Sequence, residues 1–164
     1  MSTFTSILEK KGDEIKRPPN PPTGHYRWEV TNPAVERVTE DGSWGIIEIP
    51  VKAVSAQADV DETLLEEFGR PVESIVNRVS FVFSMAEDSE GEASRARGQF
   101  YLKEFTDKLG LDFKGPESLK ERLSQIVGAH FVGQLTNKVD KNNPDITRSE
   151  LNRTISLEDM PEAI

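Results

Sequence analysis

Three aromatic rings and a scatter of cations are the side chains of this chain best suited to hold a ligand. Tyr26, Trp28 and Trp44 fall within one short stretch. Arg27, Arg37 and Lys52 accompany them, Arg78 follows later, and Lys138, Lys141, Arg148 and Arg153 surround a turn near the C-terminus. Rings offer flat faces on which bases stack, and cations track a phosphate backbone, so the two together suit single-stranded nucleic acid. Each stacked base is worth about 1–3 kcal/mol, so two or three exposed rings suffice. Trp44 directly follows the turn pair Asp41-Gly42, where a side chain is hard to bury, and it is the leading stacking candidate. Tyr26 and Trp28 share a strand face with Val30, so a core row is the competing reading for both. Any one cation reads equally as solvated surface charge. The group Lys138, Lys141 and Arg148 is stronger, because one hairpin gathers all three.

Other chemistries find little support. The chain has no cysteine, which excludes disulfides, thiol catalysis and thiolate metal sites. Only His25 and His130 are available as imidazole ligands, and each reads as a hydrogen-bonded residue of a strand. Asp59, Asp61 and Glu62, and Glu87, Asp88, Glu90 and Glu92, lack the spacing and turn glycine of a calcium loop. No phosphate loop, serine elbow or joinable histidine–carboxylate pair is present. The expectation is a binding protein with no catalytic residue, no metal and no cofactor.

The formal net charge of -9 is unevenly placed. Residues 1–56 carry seven basic and eight acidic side chains, residues 57–92 two and ten, and residues 93–164 eleven of each. An acidic total argues against a phosphate ligand. Here the deficit is confined to the middle of the chain, so the flanking segments can still form a local basic groove. No apolar run approaches the roughly 20 residues of a membrane span, and the N-terminus lacks the layout of a signal peptide. The expected setting is the cytoplasm, with no membrane partner.

The elements that must position these residues follow from pattern. Phe4, Ile7 and Leu8 at helical spacing predict a short N-terminal helix, and Arg17-Pro18-Pro19-Asn20-Pro21-Pro22 an extended linker, so residues 1–23 read as an appendage. Gly24 to Thr39 alternates as a strand broken at Asn32-Pro33. An Asp-Gly turn leads to a second strand from Trp44 to Val54, with Ile47, Ile49, Val51 and Ala53 on one face. Residues 55–71 are an acidic insert with one short helix, capped by Asp61 and stopped by Gly69. Ile75 to Phe83 is a third strand, and Glu87 to Glu92 a solvated, mobile loop. Helices follow over Arg97–Leu109, with Phe100, Leu102, Phe105 and Leu109 as its apolar stripe, and over Pro116–Val127. Two more strands, Ala129–Val139 and Ile146–Leu157, enclose the last turn, and 158–164 is an acidic tail.

Three strands, a helical stretch and two strands over residues 24–157 are the element order of a five-stranded OB-fold-like Greek-key barrel, mainly β, with helices between strands three and four; a split α+β sandwich shows the same string. Four pieces stand out: the helix and proline linker Phe4 to Pro22, Pro22-Thr23-Gly24-His25-Tyr26, the helix end Lys108-Leu109-Gly110-Leu111, and Ile126-Val127-Gly128-Ala129-His130-Phe131-Val132. In these the chain resembles bacteriophage single-stranded DNA-binding OB-fold proteins, a group many of whose members have no assigned function. The resemblance implies a sequence-independent binding barrel, without cofactor, acting in phage DNA replication and recombination in the host cytoplasm. In kind, the tail Leu157 to Ile164 resembles the acidic tails that recruit replication proteins, although Ile164 stands where an aromatic terminus is expected. The alternative is a non-enzymatic phage adaptor or structural protein, with the N-terminal helix docking on a partner or forming a homodimer. A nuclease acting through the carboxylates is the least supported reading.

Overall fold

A computed structural model describes residues 3–14, 19–113, 117–143 and 147–155. The side chains of Arg153 and Ile155, residues Arg17, Pro18 and Pro116, and the acidic tail expected at 158–164 lie outside the described part. Among the described residues twelve elements follow one another, two of them single 3-10 turns at Gly12–Glu14 and Val72–Ser74. The helices are α1 (Thr3–Glu9), α2 (Glu62–Phe68), α3 (Ser89–Lys108) and α4 (Leu119–Leu123). The strands are β1 (Gly24–Val30), β2 (Val35–Val38), β3 (Trp44–Ala56), β4 (Val76–Ser84), β5 (His130–Val139) and β6 (Thr147–Ile155).

All six strands join one antiparallel sheet in the order β2-β3-β1-β5-β6, with β4 on β3. The thirteen-residue β3 organises it. Its first half pairs with β2 on one edge and with β4 on the other, and its second half pairs with β1. β1 and β2 are thus two pieces of one strand line, separated at the Asn32-Pro33 break that the sequence places there. The register slips between Arg27 and Trp28, a bulge of the kind that bends a strand.

Alternation on these strands makes the core. Tyr26, Trp28 and Val30 of β1 and Ile49, Val51 and Ala53 of β3 are all essentially inaccessible. Leu102 and Phe105 of α3 enter from above the sheet, and Phe105 meets Phe131 edge-on with ring centroids 5.1 Å apart. α3 lies close to β4 because residue 98 is glycine: a Cβ there would stand 2.7 Å from the Phe83 ring and 3.0 Å from the Val82 carbonyl oxygen.

The helical stretch differs from expectation in two places. α3 begins at Ser89, inside the segment expected to be a loop. Asp88 caps it by accepting from the Gly91 amide at 2.7 Å, and Glu90 and Glu92 sit in its first turn, where the helix dipole favours negative charge. Acids that read as solvated loop are therefore a helix start. Phe100 is 60% exposed and leaves the stripe, whose inward members are Leu102, Phe105 and Leu109. The helix expected over 116–127 is only the five-residue α4, capped by Ser118; Ile126 is buried beyond it, while Val127 is exposed.

The sheet does not close into the expected barrel, and no β4–β6 ladder forms among the described residues. The two end strands nevertheless face each other, and the Asn77 side-chain amide donates across the seam to the Ser149 carbonyl at 3.2 Å. Asn20 donates likewise to Thr147 at 3.3 Å, and Lys108 to Thr154 at 2.7 Å. Three side chains thus serve carbonyls of an edge strand that would otherwise invite another chain. Asn77→Ala is expected to cost about 1 kcal/mol in urea unfolding. It should also speed amide exchange in β6 more than in β1; equal protection of β6 in both proteins would count against the seam contact.

Candidate nucleic-acid interface

The turn after β2 fixes Trp44. Asp41 accepts from the Thr39 hydroxyl at 2.8 Å and from the Ser43 amide at 3.0 Å, and Gly42 supplies the left-handed residue at φ 74°. The Ser43 amide, with the Thr39 hydroxyl behind it, holds the Asp41 carboxyl below the ordinary carboxylate value. The Trp44 amide donates to the Thr39 hydroxyl, so the strand leaves the turn in one orientation. Trp44 is 44% exposed.

Strand alternation gives Trp44 its companions. Going down the outward face of β2, β3 and β4, Trp44 pairs with Ser84, then Arg37 with Ile46 and Val82. Val35, Glu48 and Ser80 form the next row, then Pro50 and Arg78, then Lys52 and Val76. Val35, Val76 and Val82 are each more than half exposed. The face is apolar with charges set into it, and one carboxylate joins two of them. Arg37 donates through Nε and Nη2 to Glu48 Oε1 at 3.0 and 2.8 Å, and Arg78 Nη1 reaches Glu48 Oε2 at 3.5 Å.

Below Trp44 this face becomes one wall of a groove of about 1050 Å³. The other wall is β6, with Arg148, Glu150 and Asn152, and Asn20 of the linker also lines the groove. Arg148 Nε donates to Asp140 Oδ2 at 2.8 Å, and this bond, with the Asn142 amide, holds the Asp140 carboxyl low. Lys138 lies opposite Arg148 in the β5–β6 register, and Lys141 is exposed in the turn beyond; of these three cations Arg148 lines the groove. The charged lining is Glu48, Arg78, Arg148 and Glu150, which cancels. The groove is balanced, not the basic trench that the sequence reading called for.

Two sequence candidates are displaced. Trp28 and Tyr26 are fully buried and offer no face to a base. The Trp28 indole donates to the Gly133 carbonyl at 3.1 Å, and the Tyr26 hydroxyl donates to Pro22 at 2.7 Å. Their face is the core row shared with Val30. Arg27 does not line the groove, its Nε donating to His130 Nδ1 at 2.8 Å, while His130 Nε2 lies 3.5 Å from Glu29. His25 Nδ1 lies 2.7 Å from Asp59 Oδ2, and the His25 amide donates to the other carboxylate oxygen. Burial alone would raise the Asp59 carboxyl, but these two bonds hold it below the usual value. Both histidines are thus bonded strand residues, and the described residues contain no group of three or more side chains able to hold a metal. The side chain of Arg153 lies outside the described part.

Residues not singled out from sequence complete the face: Glu48, Ile46 and Val82. The signal for them was present, since Trp44, Ile46 and Glu48 share one parity on β3. Compared with known proteins, the chain matches no family model and no curated protein.

Burial pushes the Tyr26 phenol up from 10.0 to about 12, with the Asp59 carboxylate adding to the effect. A buried neutral phenol stabilises the fold fully below its unfolded pKa, and that contribution is lost as pH rises through the folded value. Stability should therefore fall between pH 10 and 12. Tyr26→Phe should be less stable at neutral pH, by about 1 kcal/mol for the lost hydrogen bond, yet flatter over that alkaline range. Parallel urea titrations of the two proteins check this; curves of equal slope would mean that the phenol is not core.

Proposed function

We propose that the protein binds single-stranded DNA without sequence preference, on the outward face of β2, β3 and β4 and in the groove beside it. The observation that carries this reading is Trp44, a half-exposed indole on the same face as Arg37, Arg78, Ile46 and Val82. Bases would stack on the indole and lie against the apolar rows, while phosphates meet Arg37 and Arg78 and then Arg148, Lys138 and Lys141 along the groove.

The architecture supports the same reading. Counting β1 and β2 as one broken strand, the sheet runs third, second, first, fourth, fifth, with α3 between the third and fourth. The two end strands face each other at the Asn77 seam. This is the order of a partly open OB-fold barrel, whose second and third strands and whose first and last hairpin loops commonly bind oligonucleotides. On that reading Trp44 and the turn before it, and the facing ends of β5 and β6, correspond to those positions. The wider setting, phage DNA replication or recombination in a host cytoplasm with replication proteins as partners, follows from the resemblance alone. Among the described residues no helix is long and apolar enough to cross a membrane.

A protein-binding role has its own observation: Phe4, Ile7 and Leu8 of α1 are each more than 60% exposed, so this helix presents an uncovered apolar stripe. A homodimer through α1 would show in sedimentation equilibrium and be lost in a Phe4→Ser, Leu8→Ser variant.

The chain has two tryptophans, one exposed and one buried, which makes fluorescence decisive. An oligo-dT should quench the emission at low salt, and Trp44→Ala should abolish the quenching while leaving the Trp28 emission steady. Affinity should fall with salt at a log–log slope of about -2 if three phosphates are held. Unchanged emission together with no gel shift would overturn the reading.

A further inference from the structure

The middle of the proposed binding face holds a carboxylate, which a surface meant for phosphates would be expected to avoid. Glu48 is only 16% exposed, against 50% for Arg37 and 64% for Arg78. Both of its oxygens are engaged, Oε1 by two donors of Arg37 and Oε2 by Arg78. Its cross-strand neighbours Val35 and Ser80, and Ile46 and Pro50 two residues away along β3, carry no charge. Two guanidinium groups therefore converge on one anion position, and a fork of N–H donors suits phosphate as well as carboxylate.

We propose that Glu48 sets the affinity of this face: its carboxylate occupies the position a backbone phosphate would take, and nucleic acid binds by displacing it from Arg37 and Arg78. The inference rests on the single-strand reading. The two arginines are well exposed and can follow an incoming phosphate, whereas Glu48 is held by the strand it belongs to. The guanidinium side of the pair is open to water and is screened by salt, so the arginines can exchange one anion for another. Such a device keeps the face from gathering anions indiscriminately and leaves binding to ligands that also stack on Trp44. It also accounts for a groove whose charges cancel, because the cations are pre-neutralised.

The test is Glu48→Gln, which keeps shape and removes charge. Oligo-dT affinity should rise about tenfold at low salt, with the salt slope steeper by about 1 as the released guanidinium groups meet phosphate. Glu48→Asp should stay near the parent, and adding Arg37→Gln to Glu48→Gln should cancel most of the gain. A measurement on the unaltered protein guards against a variant that fails to fold: the Arg37 Nε–H resonance should shift as oligo-dT is titrated. Binding with unchanged affinity in Glu48→Gln and an unmoved Arg37 resonance would overturn the role of Glu48 and leave the single-strand reading standing. No binding by either protein would overturn both.

Discussion

A single strand that must satisfy partners on both edges governs this molecule. β3 pairs first with β2 and β4, then with β1, and a period of two along it decides every later placement. One parity, Ile49, Val51 and Ala53, fills the core opposite Trp28 and Phe131. The other parity, Trp44, Ile46 and Glu48, is thereby committed to the outside. A one-residue slip would exchange the two sets. The Asp41 turn and the Asn32-Pro33 break lie at the ends of this pairing, so the outward face and the core are two consequences of one register.

The seam follows from the same strand. Because β3 is served on both edges, β4 and β6 become the ends of the sheet, and the chain satisfies β6 with side chains of Asn20, Asn77 and Lys108 in place of a sixth ladder. The groove exists because those two strands approach without zipping together. Two walls of different character result, an apolar one with Arg37, Glu48 and Arg78, and a polar one on β6. Every arginine named at this face is held by a carboxylate. On the proposed reading, binding at such a site is an exchange of anions, not the filling of an empty cationic trench.

Much of this was legible in the sequence. The alternation of Tyr26, Trp28 and Val30, the Asp-Gly turn, the Asp61 cap and the Gly69 stop all act through neighbours a few residues away, and each appears where local chemistry puts it. What failed depended on distant partners. Phe100 and Leu102 both belong to a plausible stripe, and only the direction of β4 and β5 decides that Leu102 turns inward. The start of α3 was hidden because Glu90 and Glu92 suit a solvated loop as well as a helix N-terminus. At the site, Trp44 stood out by its place after a turn. Glu48 did not, because its meaning lies in Arg37 and Arg78, eleven residues before it and thirty after.

The central claim is that the outward face of β2, β3 and β4, with the groove beside it, meets the ligand. Amide and indole chemical-shift mapping during titration with a short oligo-dT tests it most directly. The account predicts shifts concentrated in 37–48, 78–84 and 138–149, with the Trp44 indole N–H moving and the Trp28 indole N–H fixed. Shifts confined to α3 around Phe100 and Tyr101, or no shifts in dilute buffer, would contradict it.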